Sequence, residues 1–416
     1  MSNGDVELPA AGHVVIVGAG HAGGSAAAFL RNSGFSGQIT LIGDEPLAPY
    51  QRPPLSKAWL KGEANGESLQ LRPAHFYAEH DVSLRLCTQA LAIDRQRRLV
   101  HVADGQSVPY DRLVLATGAR ARKAPFAGAS LPAVLELRTA ADAERLKVAL
   151  RPGAKVIIVG GGYVGLEVAA SARTLQAEVV VIEREARLLA RVACPELSSF
   201  FLGYHRQRGV AFRLGRSVTA VVDAGKPAST VYLDDGERLT ADLVLVGVGA
   251  VPNQELALAA GLPCDDGVLV DLMAQTEDPH IYAIGDCTRR PMPLYGCRWR
   301  LESVPNALEQ AKQAAASICA KPAPAPETPW FWSDQFDLKL QIAGLPIDVA
   351  EVVVRGNPDK DRFAVFHVSA ERRIQAVEAV NSPPDFVMGR QLIGSRKQVD
   401  LERLRNAAVS IKEIAI

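Results

Sequence analysis

The stretch that decides the fold is HVVIVGAGHAGGSAAAFLRNSGFSGQITLIGDE, residues 13–45. An apolar run, Val14–Val17, precedes a glycine turn, Gly18-Ala19-Gly20-His21-Ala22-Gly23. An alanine-rich stretch suited to a helix follows, and then a second apolar run that ends at Asp44-Glu45. The order strand, glycine turn, helix, strand and acid makes GxGxxG a dinucleotide-binding fingerprint, because the glycines let the backbone approach a pyrophosphate at the helix N-terminus. We therefore predict a nucleotide site here; an ordinary tight turn between strand and helix is the alternative.

The same architecture returns in residues 155–183, KVIIVGGGYVGLEVAASARTLQAEVVVIE. Its glycines, Gly160, Gly162 and Gly165, lie 142 positions after those of the first turn. Two fingerprints in one chain predict two nucleotide sites.

The second site is predicted to prefer NADH. Its second strand ends at Glu183, whose carboxylate would accept hydrogen bonds from both ribose hydroxyls and would repel a 2′-phosphate. Arg184 and Arg191 argue for NADPH, since nearby arginines are how its phosphate is accommodated. We favour NADH and leave NADPH open.

Composition excludes several classes of function. The chain has 416 residues, 48% of them hydrophobic, with 46 basic and 46 acidic residues, so it is long enough for two to four domains and its charge does not favour nucleic-acid binding. The sequence contains no apolar run of membrane-spanning length, and its first residues lack the basic and apolar regions of a signal peptide. We expect a cytoplasmic protein that binds neither nucleic acid nor membrane. No oligomeric state is predicted.

The cysteines are scattered and form no CxxC or CxxxxC motif. We expect reduced, mostly buried thiols, no metal site and no redox-active dithiol. The six are Cys87, Cys194, Cys264, Cys287, Cys297 and Cys319.

The remaining strands suggest a discontinuous first domain. Two buried strands that end in glycine, at residues 113–118 and 242–249, bracket the second fingerprint, and a further strand ends in Gly285-Asp286 before a helix predicted over residues 302–320. A proline-rich linker, residues 321–329, marks another boundary. We predict an α/β fold with two Rossmann-like nucleotide-binding domains, residues 1–118 with 246–326 and residues 119–245, and a C-terminal α+β domain, residues 327–416.

A proline-dense segment, Pro49-Tyr50-Gln51-Arg52-Pro53-Pro54-Leu55-Ser56-Lys57, follows the first fingerprint. Its prolines should hold Arg52 and Lys57 in place as partners for phosphates or for a reactive carboxylate; ordinary surface charge is the alternative.

With the two glycine turns, Ala116-Thr117-Gly118, Gly285-Asp286 and residues 331–335 (FWSDQ), this segment resembles flavoprotein ferredoxin reductases of the glutathione-reductase-like superfamily, the branch that contains putidaredoxin reductase and the reductases of biphenyl-type dioxygenases. In that branch the segment replaces the cysteine pair of disulfide reductases. The resemblance covers essentially the whole chain and implies FAD at the first turn and NADH at the second.

The resemblance also implies site residues. Those for FAD are Gly18, Ala19, Gly20, His21, Ala22, Asp44, Glu45, Arg52, Lys57, Arg122, Asp286, Val304 and Trp332. Those for NADH are Gly160, Gly162, Tyr163, Val164, Gly165, Glu167, Glu183, Arg191 and Gly249. His21 departs from the family pattern, in which a small or apolar residue is common.

A catalytic pair is predicted as well. Glu167 lies four positions after Tyr163 in the first turns of the second helix, where an unpaired carboxylate would be poorly placed beside a pyrophosphate. A cation should neutralise it, and the family pattern points to Lys57. We hypothesise that Lys57 lies near flavin N5 and Glu167 near the nicotinamide carboxamide.

The implied reaction is hydride transfer from NADH to FAD, followed by one-electron transfers to a [2Fe–2S] ferredoxin that supplies an oxygenase, either a cytochrome monooxygenase or an aromatic-ring dioxygenase. Because ferredoxins are acidic, a basic docking patch is expected from among Arg289, Arg290, Arg298, Arg300, Lys339, Arg396 and Lys397. Rubredoxin reductase, NADH oxidase and an NADH-binding interaction protein like apoptosis-inducing factor are the alternatives.

Overall fold

The computed structural model describes residues 12–73, 75–223 and 228–416. The stretch on which the signal-peptide expectation rests, residues 1–11, lies outside them. The described chain forms two compact units. The first comprises the described parts of Met1–Gln51, Gly66–Arg120 and Val251–Pro329, and the second those of Arg52–Asn65, Ala121–Ala250 and Trp330–Ile416. The three-domain division inferred from the sequence remains a prediction.

The strands of the described chain are numbered in chain order. They are β1 His13–Val17, β2 Gln38–Ile42, β3 Val82–Arg85, β4 Ala90–Asp94, β5 Leu99–Val102, β6 Ser107–Pro109, β7 Arg112–Leu115, β8 Ala119–Ala121, β9 Val134–Glu136, β10 Lys155–Val159, β11 Glu178–Glu183, β12 Val210–Leu214, β13 Val218–Asp223, β14 Ser229–Leu233, β15 Arg238–Ala241, β16 Leu243–Val246, β17 Ala250–Pro252, β18 Val268–Leu269, β19 Ile281–Ala283, β20 Thr288–Met292, β21 Cys297–Trp299, β22 Trp330–Gln335, β23 Leu338–Gly344, β24 Glu351–Asn357, β25 Arg362–Val368 and β26 Ile374–Val380.

The α-helices are numbered in the same way. They are α1 His21–Asn32, α2 Gly66–Leu69, α3 Phe76–Glu79, α4 Ala140–Ala149, α5 Tyr163–Thr174, α6 Pro195–Gln207, α7 Glu255–Ala259, α8 Val304–Ile318, α9 Pro383–Ser395 and α10 Leu401–Arg405.

The first unit is built on a five-stranded parallel sheet in the order β19-β7-β1-β2-β3. Its central strand, β1, is buried on both faces, as expected for the continuous apolar run that encodes it. Small side chains let α1 and α8 share one core, to which Ala26 and Ala27 contribute from α1 and Ala311 and Ala315 from α8. The α8 helix, Val304–Ile318, lies within the range of residues 302–320 that was predicted to be helical.

The second unit contains a matching parallel sheet in the order β12-β11-β10-β16-β9. The β10 strand is paired with β11 and β16 as β1 is with β2 and β7, so the repeat seen in the sequence is also a structural repeat. Residues 330–416 add a five-stranded antiparallel sheet, β22-β23-β26-β25-β24, with α9 following its last strand.

The predicted fold class is confirmed: two Rossmann-like parallel sheets and a C-terminal α+β region are present. Across the described ranges, no helix combines the length and apolar character needed to cross a membrane.

Candidate functional site

The first glycine turn lies between β1 and α1. Gly18 has a φ of +116°, and a Cβ there would lie 2.1 Å from the carbonyl oxygen of Ala116, so only glycine fits. Gly20 is the N-cap of α1, and a Cβ added to it would meet no atom within 4 Å, so the space in front of the helix is open. The first turn of α1 carries no acidic side chain. An open turn at a helix N-terminus without a competing carboxylate fits a pyrophosphate.

His21 and Ala22 open α1 beside the segment that follows β19. The Nδ1 atom of His21 is buried and has no hydrogen-bond partner in residues 12–73, 75–223 and 228–416. Burial lowers the pKa of His21, and the nearby Asp286 carboxylate opposes that shift. Gly285 has a positive φ and would place a Cβ 3.0 Å from the Ala22 side chain, so this approach is close. The buried, unpartnered nitrogen agrees with a polar group of a bound nucleotide in this turn, and the residues of the first site therefore fit FAD.

Asp44 and Glu45, two of the residues predicted to bind FAD, follow β2. Asp44 is exposed, and Glu45 accepts a 2.6 Å hydrogen bond from the Tyr50 hydroxyl. The tyrosine therefore orients the glutamate carboxylate at the end of the strand.

Val304 is the first residue of α8, whose N-cap Ser303 accepts a hydrogen bond from the Asn306 backbone N–H. The first turn of α8 has no acidic residue, so its positive end is available to stabilise negative charge on a bound group. The predicted contact of Val304 with FAD stays a prediction.

The second glycine turn repeats the first. Gly160 has a φ of +110°, and a Cβ there would lie 2.4 Å from the Gly247 carbonyl oxygen. Gly162 caps α5 with open space in front of it, whereas a Cβ on Gly165 would lie 2.3 Å from the Gly160 carbonyl oxygen. The two turns therefore use glycine for the same steric reasons.

Glu183, at the end of β11, is tied to this turn. One carboxylate oxygen accepts from the Gly161 N–H at 2.6 Å and the other from the Glu185 N–H at 2.8 Å. The exposed Arg184 guanidinium pairs with the Glu185 carboxylate at 3.0 Å. The negative charge of Glu185 therefore offsets the positive charge of Arg184, which would otherwise favour the 2′-phosphate of NADPH.

The predicted Lys57–Glu167 contact is present, and it lies within the second unit. Lys57 Nζ is 2.7 Å from Glu167 Oε2, and the glutamate is 5% exposed. The Ser56 hydroxyl donates to Glu167 Oε2 and the Ser333 hydroxyl to Oε1, each at 2.6 Å. A buried carboxylate with one cation and two hydroxyl donors is held in one orientation.

The Ser333 hydroxyl continues into a buried chain of hydrogen bonds. Gln335 Nε2 donates to Ser333 Oγ at 3.1 Å, and Gln335 Oε1 lies 2.8 Å from His205 Nε2. Since an amide oxygen only accepts, His205 carries its proton on Nε2. Burial lowers the pKa of His205 to about 4, so the ring is neutral. Sequence reasoning missed both serines, although each lies inside a motif it had singled out.

Tyr163, the first residue of α5, packs edge-on against Phe331 with 4.8 Å between ring centroids. Its hydroxyl donates to the Val192 carbonyl oxygen at 3.2 Å, and burial raises the pKa of this phenol. Val164, by contrast, is 45% exposed. The two neighbours therefore differ: one anchors the helix, and the other is open to solvent.

Gly249, after β16, has a φ of +106°, and a Cβ there would lie 3.2 Å from an Arg191 guanidinium nitrogen. The Arg122 backbone N–H donates to the Gly249 carbonyl oxygen at 2.9 Å. Gly249 and Arg191, both predicted to bind NADH, therefore lie side by side. Arg122 is hydrogen-bonded to the backbone of Gly249. The FAD role predicted for Arg122 stays a prediction.

Arg52 and Trp332 also belong to the second unit. Arg52 donates to the Arg138 carbonyl oxygen at 2.6 Å, and the Trp332 ring lies 5.7 Å from that of Trp330. Their predicted flavin contacts stay predictions.

The predicted basic patch needs correction. Arg290 is 3% exposed and binds Glu309 at 2.9 Å, so it is part of the core and not of a docking surface. Arg289 pairs with Asp265, and Arg300 pairs with both Asp266 and Glu302. Four of the predicted docking residues are exposed and remain candidates: Arg298, Lys339, Arg396 and Lys397.

The cysteines are free thiols. Burial raises the pKa of Cys264 and Cys287, so these thiols are protonated at neutral pH and are poor nucleophiles.

Two family models match the chain. Residues 12–311 match that of pyridine nucleotide-disulphide oxidoreductases, and residues 330–415 match that of the reductase C-terminal domain.

Individual relatives span nearly the whole chain. It is 47% identical to "Probable ferredoxin reductase CtmF" of Castellaniella defragrans over 97% of this chain and 98% of the relative. It is 43% identical to putidaredoxin reductase CamA of Pseudomonas putida over 97% and 96%. Among solved structures, the covalent putidaredoxin reductase–putidaredoxin complex superimposes with a TM-score of 0.94, at 42% identity and 97% coverage of both chains.

Proposed function

The chain belongs to the pyridine nucleotide-disulphide oxidoreductase family, and from this premise we propose that it is an FAD-dependent NADH:ferredoxin reductase. The observation that carries the proposal is the pair of structurally repeated glycine turns, combined with a Lys57–Glu167 pair in a chain whose Glu45–Trp59 segment has no cysteine. The sequence-based prediction of an oxidoreductase in the ferredoxin reductase group is confirmed by relatives of that name.

FAD is assigned to the first turn. Gly18 and Gly20 provide the close turn and the open space, and His21 provides a buried nitrogen without a partner. Bound FAD supplies the chemistry that converts a two-electron donor into a one-electron donor. The chain's own contribution is to hold the nucleotide.

NADH is assigned to the second turn. Glu183 stands at the end of β11 with its carboxylate already oriented by two backbone N–H groups. A negative charge at this position accepts from ribose hydroxyls and repels a 2′-phosphate, and Glu185 offsets the neighbouring Arg184. We therefore expect kcat/KM for NADH to exceed that for NADPH.

Lys57 and Glu167 are assigned to the reductive step. Two hydroxyl donors and one ammonium hold Glu167 in a single orientation, and the carboxylate in turn fixes Lys57 Nζ. Because the two charged groups are oriented before the reaction, they do not have to be reoriented while it takes place.

The acceptor is assigned to the [2Fe–2S] ferredoxin class. A relative is named as a putidaredoxin reductase, and a similar chain was crystallised as a covalent complex with putidaredoxin. In the first unit, Arg298 and the 45% exposed Trp299 share the short strand β21, which offers a cation and an aromatic surface to an acidic partner.

Steady-state cytochrome c reduction by NADH tests the assignment. A [2Fe–2S] ferredoxin should raise the rate well above rubredoxin or no carrier, and added salt should lower it. Replacing Arg298 by alanine should raise the KM for ferredoxin, whereas Arg97→Ala, at an exposed arginine outside the candidate set, should not. A larger stimulation by rubredoxin would reassign the acceptor, and oxygen consumption unaffected by either carrier would indicate an NADH oxidase.

A further inference from the structure

A buried cluster in the second unit has no part in the proposed reaction. Cys194 is the N-cap of α6, and His367 and Glu378 lie on the adjacent strands β25 and β26. One ligand-type atom from each lies within 4.8 Å of the others, and all three side chains are buried. The three residues do not form a short cysteine motif, which is why the sequence pattern predicted no metal.

The donor atoms are those that zinc prefers. Cys194 Sγ lies 2.8 Å from Glu378 Oε2, and His367 Nε2 lies 3.8 Å from that oxygen. In a tetrahedral zinc site with bonds of about 2.0–2.3 Å, the donor atoms are roughly 3.3–3.8 Å apart. Small side-chain adjustments therefore bring these three atoms to zinc-binding distances.

Two groups in the cluster lack suitable partners. His367 Nε2 is buried and finds no hydrogen-bond partner among the residues that the structure describes, and its residue is 4% exposed. Within the described part of the chain, Glu378, which is 2% exposed, accepts two long bonds of 3.3 and 3.4 Å from the Cys194 N–H in addition to the thiol contact. Among the described residues, His367 is the one basic group within 4.0 Å of this carboxylate. An orphaned nitrogen aimed at a poorly compensated carboxylate is unusual in a protein interior.

We propose that Cys194 Sγ, His367 Nε2 and Glu378 Oε2 bind one Zn²⁺. The thiol loses its proton on binding, so one thiolate and one carboxylate balance the two positive charges in a buried site. Burial and the Glu378 carboxylate raise the pKa of the Cys194 thiol, and the Leu197 N–H, which contacts Cys194 Sγ at 3.4 Å, opposes that rise only in part. The bound cation itself is therefore what deprotonates the coordinating thiol. The metal fastens the start of α6 to the C-terminal sheet.

Metal content of the FAD-loaded full chain tests this directly. The protein is purified without a histidine tag and dialysed against metal-free buffer, and its zinc is measured by mass spectrometry. We expect one zinc per chain. Chelator removal followed by Co²⁺ addition should produce a thiolate-to-cobalt charge-transfer band, and Zn²⁺ should abolish it.

Two cysteine variants test whether the metal binds at this cluster. Cys194→Ser should lose the band and weaken Zn²⁺ binding by more than the roughly 10–100-fold that loss of an outer-shell partner costs. Cys287→Ser, which changes another fully buried thiol outside the cluster, should keep both the cobalt band and the wild-type affinity for Zn²⁺. No zinc and no cobalt band in the wild-type chain would overturn the proposal, and so would zinc retained equally by Cys194→Ser. The wild-type measurements decide the question if a variant does not fold.

Discussion

Replacement of Lys57 by methionine removes the cation from the Glu167 carboxylate and leaves its two hydroxyl donors in place. Methionine keeps most of the side-chain volume, so the change is chiefly one of charge. Breaking a buried ion pair by removing one partner costs about 3–5 kcal/mol in general. The lower end applies here, because Lys57 is 17% exposed and Ser56 and Ser333 still stabilise the carboxylate.

The rate of flavin reduction by NADH should fall by more than the loss of folded protein alone would cause. Losing one preorganised electrostatic group typically lowers a rate by about 100-fold, which is roughly 2.7 kcal/mol in the activation free energy. Anaerobic stopped-flow at saturating NADH measures the limiting rate of flavin bleaching separately from NADH binding. We expect that limiting rate to fall by about 100-fold while the dissociation constant for NADH changes little.

Lys61→Met is the matched control. Lys61 lies four residues after Lys57 and pairs with the exposed Glu63 at 2.7 Å, so its loss should leave the limiting rate unchanged. An unchanged rate in Lys57→Met, with FAD content equal to wild type, would refute the assignment of Lys57 to the reductive step.

Three further predictions concern single positions. Gly18→Ala should lower the free energy of unfolding of the FAD-free chain by about 2 kcal/mol or more, because the added Cβ meets a backbone oxygen at positive φ. Gly20→Ala should keep the wild-type free energy of unfolding and should weaken FAD retention on gel filtration. Equal urea midpoints for the two variants would contradict this. Arg290→Met should lower the free energy of unfolding by about 3–5 kcal/mol, since it strands the buried Glu309 carboxylate, without changing the salt dependence of ferredoxin reduction. The pKa of His205 is about 4 when folded and about 6.5 when unfolded, so the unfolded chain takes up a proton first and stability falls by up to about 3 kcal/mol as pH drops from 6.5 to 4. Urea unfolding at several pH values should show this loss, and a His205→Gln variant that loses as much over the same range would argue against it.

The sequence predicted the two Rossmann-like sheets because their signals are local. A buried β-strand, a glycine turn and an alanine-rich helix are contiguous in the chain, and a Cβ on Gly18 or Gly160 would clash with a backbone carbonyl oxygen. The start of α8 was predicted for the same reason, since Pro305 lies in its first turn.

The environment of the candidate pair could not be predicted in full. Ser56 and Ser333 lie 111 and 166 positions from Glu167, and no local pattern reports such distances. The error at Arg290 has a related cause, because residue type alone does not separate a surface cation from one buried against Glu309. The Cys194, His367 and Glu378 cluster likewise depends on tertiary structure.

The proposed function requires this chain to pass electrons from NADH to a one-electron iron–sulfur carrier. An anaerobic titration of the FAD-loaded protein with NADH in the presence of excess oxidised [2Fe–2S] ferredoxin tests it most directly. We expect two ferredoxins to be reduced for every NADH consumed, and no ferredoxin to be reduced when the chain is omitted. Flavin bleaching by NADH without reduction of the ferredoxin would contradict it.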